Sequence, residues 1–125
     1  MTISRQGLDD LEALVNEDLD KDCLEISISG HFAIDRVNDQ RNNPAITLPE
    51  LEDIFKKVQA SHSKTIQGFP DGTAFVIKCK ASKINIPCFI ELTRKYNKPW
   101  ARITLATIQR KDPFLTNDPH ILEVN

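Results

Sequence analysis

The chain has 125 residues, 40% of them hydrophobic, and its 16 Lys/Arg against 18 Asp/Glu leave a net charge of −2. That length gives one domain with a core of its own. No apolar run approaches the roughly 18 residues that span a bilayer, and the opening MTISRQGLDDLEALV lacks the basic-then-apolar order of a signal peptide, so a soluble, cytoplasmic protein is expected.

Three cysteines, Cys23, Cys79 and Cys88, are odd in number and have no C-x-x-C spacing, which argues against a disulfide framework and a zinc site. Cys79 and Cys88 stand in apolar strand patterns and read as buried thiols. No His/Asp/Glu spacing matches a metal-ligand set, and serine-nucleophile motifs and phosphate-cradling glycine loops are lacking. Neither a metal nor a cofactor is expected.

Leu8, Leu11, Leu14, Val15 and Leu19 recur at helical spacing, predicting an amphipathic leading helix with an acidic outer face within residues 1–22. Cys23 to Ile28 alternates as a short strand or an extended lead-in. Ser29-Gly30 then opens a second helix, with Phe32, Ala33, Ile34 and Val37 on its apolar side and Asp35, Asn38, Asp39 and Gln40 largely opposite. His31 falls at the start of that helix, where unpaired N–H groups and partial positive charge suit a bound phosphate. Arg36 and Arg41 follow at intervals of five, which on an ideal helix sets them about 140° apart. They converge on one spot only if the helix breaks or groups arrive from elsewhere. Asn42-Asn43-Pro44 is expected to stop this helix.

Thr47-Leu48-Pro49-Glu50 is a capping box with proline in the first turn, so another helix should run from near Leu48 to about Ala60, with Leu51, Ile54, Phe55 and Val58 facing the core. From Lys64 the pattern changes to strands. Pro70-Asp71-Gly72 is a turn before TAFVIKCK, IPCFIELTR follows a connection at Ser82 to Asn85, and Tyr96-Asn97-Lys98-Pro99 turns into WARITLATIQR. Short connections imply antiparallel hairpins. The predicted fold is α+β, with N-terminal helices packed on one face of a three- to four-stranded antiparallel sheet, in a single domain spanning 1–125 with an irregular tail at 112–125.

The small net charge hides a division. Met1 to Phe55 holds 4 Lys/Arg against 13 Asp/Glu, whereas Lys56 to Lys111 holds 12 against 2. A basic stretch of that strength suits a polyanion-binding surface. Its ordinary alternative is that the acidic leading helix packs against the basic sheet and neutralises it. Lys78, Lys80, Lys83, Arg94, Lys95 and Lys98 could form a track for RNA with Tyr96 or Trp100 stacking a base, although such lysines are more often a solvated strand face and such a tryptophan core.

The order Ser-Gly-His, then Asp-Arg, then Arg, a capped helix, and a sheet ending in a Thr-Ile-x-Arg strand resembles the barnase/EndoU/colicin/RelE group of small ribonucleases. The nearer likeness is to the subfamily of the phage endoribonuclease RegB and standalone toxin-like domains. It covers roughly Leu24 to Arg110. Those subfamilies usually carry an arginine four residues after the histidine; here the interval from His31 to Arg36 is five.

The resemblance implies metal-independent cleavage of RNA by attack of a ribose 2′-hydroxyl on the adjacent phosphate. That chemistry needs a proton acceptor, a proton donor and cations for the phosphorane charge. The resemblance assigns proton transfer to His31 and phosphate binding to Arg36 and Arg41, joined by Thr107 and Arg110 at the end of the last strand; Lys78 and Lys80 of the basic track are expected as further substrate contacts. His62 is a second proton-transfer candidate, though a loop histidine is the commoner reading, and His120 is set aside. The implied partners are RNA, free or on the ribosome, and a protein inhibitor or antitoxin, with no membrane. Two rivals stay open: a non-catalytic RNA- or ribosome-binding protein of the same fold, and an acidic interaction protein, such as an immunity or host-takeover factor, that binds a basic partner.

Overall fold

A computed structural model describes residues 3–28 and 35–125. The leading helix, α1 (Arg5–Leu19), starts where the Ser4 hydroxyl accepts from Gly7 N, and it buries Leu8, Leu11, Val15 and Leu19. A 3₁₀ turn at Asp20–Asp22 passes the chain through Cys23, at φ 57°, into β1 (Leu24–Ile28). Residues 35–37 are helical, and a loop then leads to α2 (Leu48–Gln67). Five strands follow: β2 (Ala74–Cys79), β3 (Ile84–Lys95), β4 (Lys98–Leu105), β5 (Gln109–Arg110) and β6 (Ile121–Val124).

The α+β class holds, but the sheet is larger than expected and mixed. Its order is β1-β4-β3-β2-β6, with β5 against the start of β3, and β1 runs parallel to β4 and β6 parallel to β2. Only β2, β3, β4 and β5 pair antiparallel. Parallel pairing needs a crossover between partners distant in sequence, so neither short outer strand announces its neighbour locally. The tail is correspondingly less irregular than expected, because Leu122 and Val124 point into the core.

Along register rows such as Ile26, Ile103 and Ile90, the side chains facing the helices form one apolar cluster with Leu11, Val15, Ile54, Phe55 and Val58. The edge strand β1 is covered by α1. Asn16 bonds both the N–H and the carbonyl of Ile26 (2.7 and 3.1 Å), and Glu12 accepts from Ile28 N (2.8 Å). An edge so satisfied cannot template another strand.

Two helix boundaries differ from expectation. The Thr47/Glu50 capping box is present, but α2 runs to Gln67, because Ile66 extends its buried face and the Ser63 hydroxyl bonds back to the Gln59 carbonyl instead of breaking the helix. The earlier helix stops at Val37, before Asn42-Asn43-Pro44. Asn38 leaves the helical path to bond Ile3 N and O (2.7 and 2.8 Å), and Asp39 turns the chain by accepting from Arg41 N (2.9 Å).

The charge division is resolved by particular pairs. Lys95 and Arg102 bind Glu25, Arg110 binds Glu50, Lys80 binds Glu123, and Lys83 binds Asp112. The neutralising acids thus come from β1, α2 and the tail, whereas α1 pairs locally, as in Arg5–Asp9. No helix among the described residues is long and apolar enough to cross a membrane.

Candidate functional site

The break at Asn38 and the end of β4 together make a hollow. β4 and β3 pair as far as Leu105↔Cys88, and pairing resumes at Gln109↔Asn85, so three residues, Ala106 to Ile108, stand against Ile86 and Pro87. Pro87 has no N–H for the ladder, and its carbonyl is taken by Ala106 N (3.0 Å). The extra residue is a bulge, a device that bends a strand and re-aims a side chain. Here the bulge carries Thr107 to the rim of a cleft of about 360 Å³, lined by Arg36, Asp39, Arg41 and Asn42 on the loop and by residues 107–111 on the sheet.

Four of the residues singled out from sequence, Arg36, Arg41, Thr107 and Arg110, therefore line one cleft. The helix break needed for convergence is the one that Asn38 makes. Arg41 is forked onto Asp39, with Nη2 to Oδ2 at 2.9 Å and Nε to Oδ1 at 3.2 Å. These bonds, and the charge of Arg36, hold the Asp39 carboxyl down to about 2, so it is ionised at any physiological pH. Arg41 itself is 80% exposed, so a stronger anion can compete for its fork from solvent.

Arg110 has a different part. Its five N–H donors go to Pro44 O (2.7 Å), Ala45 O (3.1 Å), Ser82 O (2.7 Å) and both oxygens of Glu50 (2.8 and 3.0 Å). The guanidinium is a strut that ties the loop to α2 and the sheet, with no N–H left for a ligand. Setting aside this Arg110–Glu50 pair, the cleft carries three cations, Arg36, Arg41 and Lys111, against one carboxylate, Asp39. That is +2 on a chain whose net charge is −2.

The other described residues predicted for the site, Lys78, Lys80, His62, Tyr96 and Trp100, do not line this cleft. His31 belongs to residues 29–34, outside the described residues. Lys78 sits on β2 beside β6, and Lys80, in the turn just after β2, pairs with Glu123 at 2.9 Å. His62 lies on α2 with Nε2 2.7 Å from Glu123 O, and His120 rests against Phe69 with ring centroids 5.0 Å apart. Trp100 is buried beneath Lys95 and Tyr96, as core tryptophans usually are, and Tyr96 is 84% exposed at the hairpin tip. Among the described residues no group of three or more His, Cys, Asp or Glu is arranged to hold a metal ion.

No family model, curated protein or solved structure matches the chain. The chemistry of the cleft must therefore be argued from its own residues.

Sequence reasoning missed Asn42, which it read only as a helix stop. Asn42 is buried, donates to Arg36 O (2.9 Å) and Val37 O (3.4 Å), and accepts from Arg110 N (2.7 Å). Its side chain thereby bonds both walls of the cleft. Asn42→Ala is expected to destabilise the fold by about 2 kcal/mol, because buried amide and carbonyl groups lose their partners. Denaturant unfolding checks this, and a loss under about 0.5 kcal/mol, the range of an ordinary surface substitution, would refute the bridging role.

Proposed function

We propose that the protein is a metal-independent endoribonuclease, or a ribonuclease-like toxin, acting on RNA in the cytoplasm. The observation that carries this reading is the cleft itself, in which Arg36 and Arg41 from one sequence stretch and Thr107 from the other meet under a net positive charge. These are the two stretches whose order resembles the small ribonucleases. Arg36 and Arg41 hold the scissile phosphate, since arginine stays charged and can contact two phosphate oxygens at once. The Thr107 hydroxyl donates to a phosphate oxygen. The negative charge that grows on the phosphorane is stabilised by the same cations, which bind it more strongly than the ground-state diester.

His31 is the proton-transfer residue of this proposal, because histidine is the side chain whose ordinary pKa lies closest to neutrality. Ile28, three residues before it, pairs with Leu105 next to the bulge, and Arg36, five residues after it, lines the cleft. The reaction joins the 2′-oxygen to phosphorus and breaks the bond to the 5′-oxygen. The 2′-hydroxyl proton leaves to a base, the 5′-oxygen gains a proton, and a 2′,3′-cyclic phosphate and a 5′-hydroxyl result.

A non-catalytic RNA-binding protein is the second reading. It is favoured by the Asp39 fork, because a carboxylate seated on two Arg41 donors takes the bidentate geometry that a phosphorane would need, whereas the net positive charge of the cleft still attracts RNA. Incubation with RNA in EDTA separates the two. The ribonuclease reading expects cyclic phosphate ends and a rate that falls about 10²- to 10⁴-fold in His31→Ala, the usual worth of general acid–base catalysis. Salt-dependent binding with no cleavage of free or ribosome-bound RNA would favour the second reading. Failure to bind RNA at all, with tight binding to a basic protein, would replace both with an acidic interaction protein.

A further inference from the structure

The cleft continues past its Arg110 wall. A second groove, of about 440 Å³, is lined by Glu50, Ser82, Lys83 and Asp112 together with Arg110 and Lys111, which it shares with the first. Arg110 turns its guanidinium onto Glu50, so that carboxylate is already neutralised. What remains is Lys83 and Lys111 against Asp112; with the shared Lys111 counted once, the two grooves together hold four cations against two carboxylates, a net +2 along the whole surface.

Lys83 is held in a conformation that lysine does not favour. Its φ is 63°, in the left-handed region where glycine is at ease and a side chain costs energy. The backbone is fixed there from three sides: Lys83 N donates to Cys79 O, and Lys83 O accepts from Lys111 N and from Asn85 Nδ2, each at 3.0 Å. Its ammonium lies 2.6 Å from Asp112 Oδ2, in a pair more than half exposed on both sides. Exposed pairs of this kind add little to stability, so the contact does not repay the backbone cost. Cys23, Tyr96 and Asn97 share such a φ among the described residues, but of the four Lys83 alone lines the groove beside the first cleft, where its position fixes the start of the lysine side chain. Among the described residues Lys111 makes no ion pair, and its backbone is clamped to Lys83.

We infer that this second groove is a subsite for the phosphate next to the scissile one, held by Lys111 and Lys83, and that the ligand is single-stranded RNA reaching beyond the cleaved bond. The inference rests on the ribonuclease reading for the first cleft. In it, RNA lies over Arg110, with one phosphate on Arg36 and Arg41 and its neighbour displacing Asp112 from Lys83.

The experiment is fluorescence anisotropy with a ten-nucleotide 2′-O-methyl RNA, which has no 2′-hydroxyl with which to react, titrated at several salt concentrations. Lys111→Ala and Lys83→Gly are each expected to weaken binding about three- to tenfold and to reduce the salt slope by about 0.7, the contribution of one phosphate contact on a single strand. Lys83→Gly should at the same time raise the melting temperature, so weaker binding cannot be ascribed to unfolding. If Arg41→Gln weakens binding while neither lysine variant changes affinity or slope, the subsite is refuted and the first cleft stands. If the lysine variants behave as expected but the wild-type protein cleaves no RNA, the subsite stands and the ribonuclease reading fails. A wild-type protein that does not bind the oligonucleotide overturns both.

Discussion

Replacing Arg110 with alanine is expected to cost about 3 kcal/mol of folding stability and to lower the melting temperature by about 10 °C. The side chain is 10% exposed, and its removal takes the partner from Glu50 Oε2 and from the carbonyls of Pro44, Ala45 and Ser82 at once, leaving Glu50 Oε1 with Thr47 alone. Arg110→Lys should recover little, because an ammonium has three donors on a flexible stem where five are used in a fixed plane. The loss should also depend on pH. Bonding to Arg110 holds the Glu50 carboxyl below its ordinary value of 4.5. A group depressed in the folded state contributes stability that is present above that ordinary value and disappears as the pH falls through the lower folded one. The wild-type protein should therefore lose stability below about pH 4.5 more steeply than the alanine variant. Urea denaturation at pH 7 and pH 3.5 measures both effects. Equal stability of the two proteins at pH 7 would refute the strut.

Such a strut explains why the cleft was only partly legible in the sequence. Thr47 and Glu50 declare α2 because a capping box is local chemistry, complete within four residues. The alternation in β2 and β3 declares strands for the same reason. The role of Arg110 depends on Glu50, sixty positions away, and on three carbonyls from two other segments, so an arginine at the end of a strand could only be read by its type. Lys80 is alike: its partner Glu123 reaches it through the parallel pairing of β6, which no nearby residue signals. Other features were present and went unused. Pro87 inside a central strand marks the place where the ladder to β4 must fail, and so where the bulge would turn Thr107. Asn38-Asp39 marks a turn, because short polar side chains compete for backbone bonds and end helices. Those two breaks, more than any regular element, bring the Arg36 and Arg41 loop to the strand end.

The joint variant Arg36→Gln/Arg41→Gln is expected to lower kcat/KM for RNA at least about 10³-fold while its thermal melting curve superimposes on that of the wild type. Glutamine keeps a hydrogen-bonding side chain of similar reach and removes only the charge and the fork. Arg36 is exposed and Arg41 is 80% exposed, and the exposed Arg41–Asp39 pair adds little to the fold. Two lost phosphate contacts should flatten the salt dependence of single-strand binding by about 1.4 in logarithmic slope, twice the single-contact value. The two readouts test different steps. Slope reports how many phosphates the cleft holds in the ground state, whereas kcat reports the charge it stabilises as the phosphorane forms. Arg41→Lys should restore part of the slope and little of the rate, because an ammonium replaces the charge but not the bidentate geometry that Asp39 now occupies. If the double variant kept its slope and its rate, RNA would not be bound through this cleft, and the positive excess around Thr107 would need another ligand.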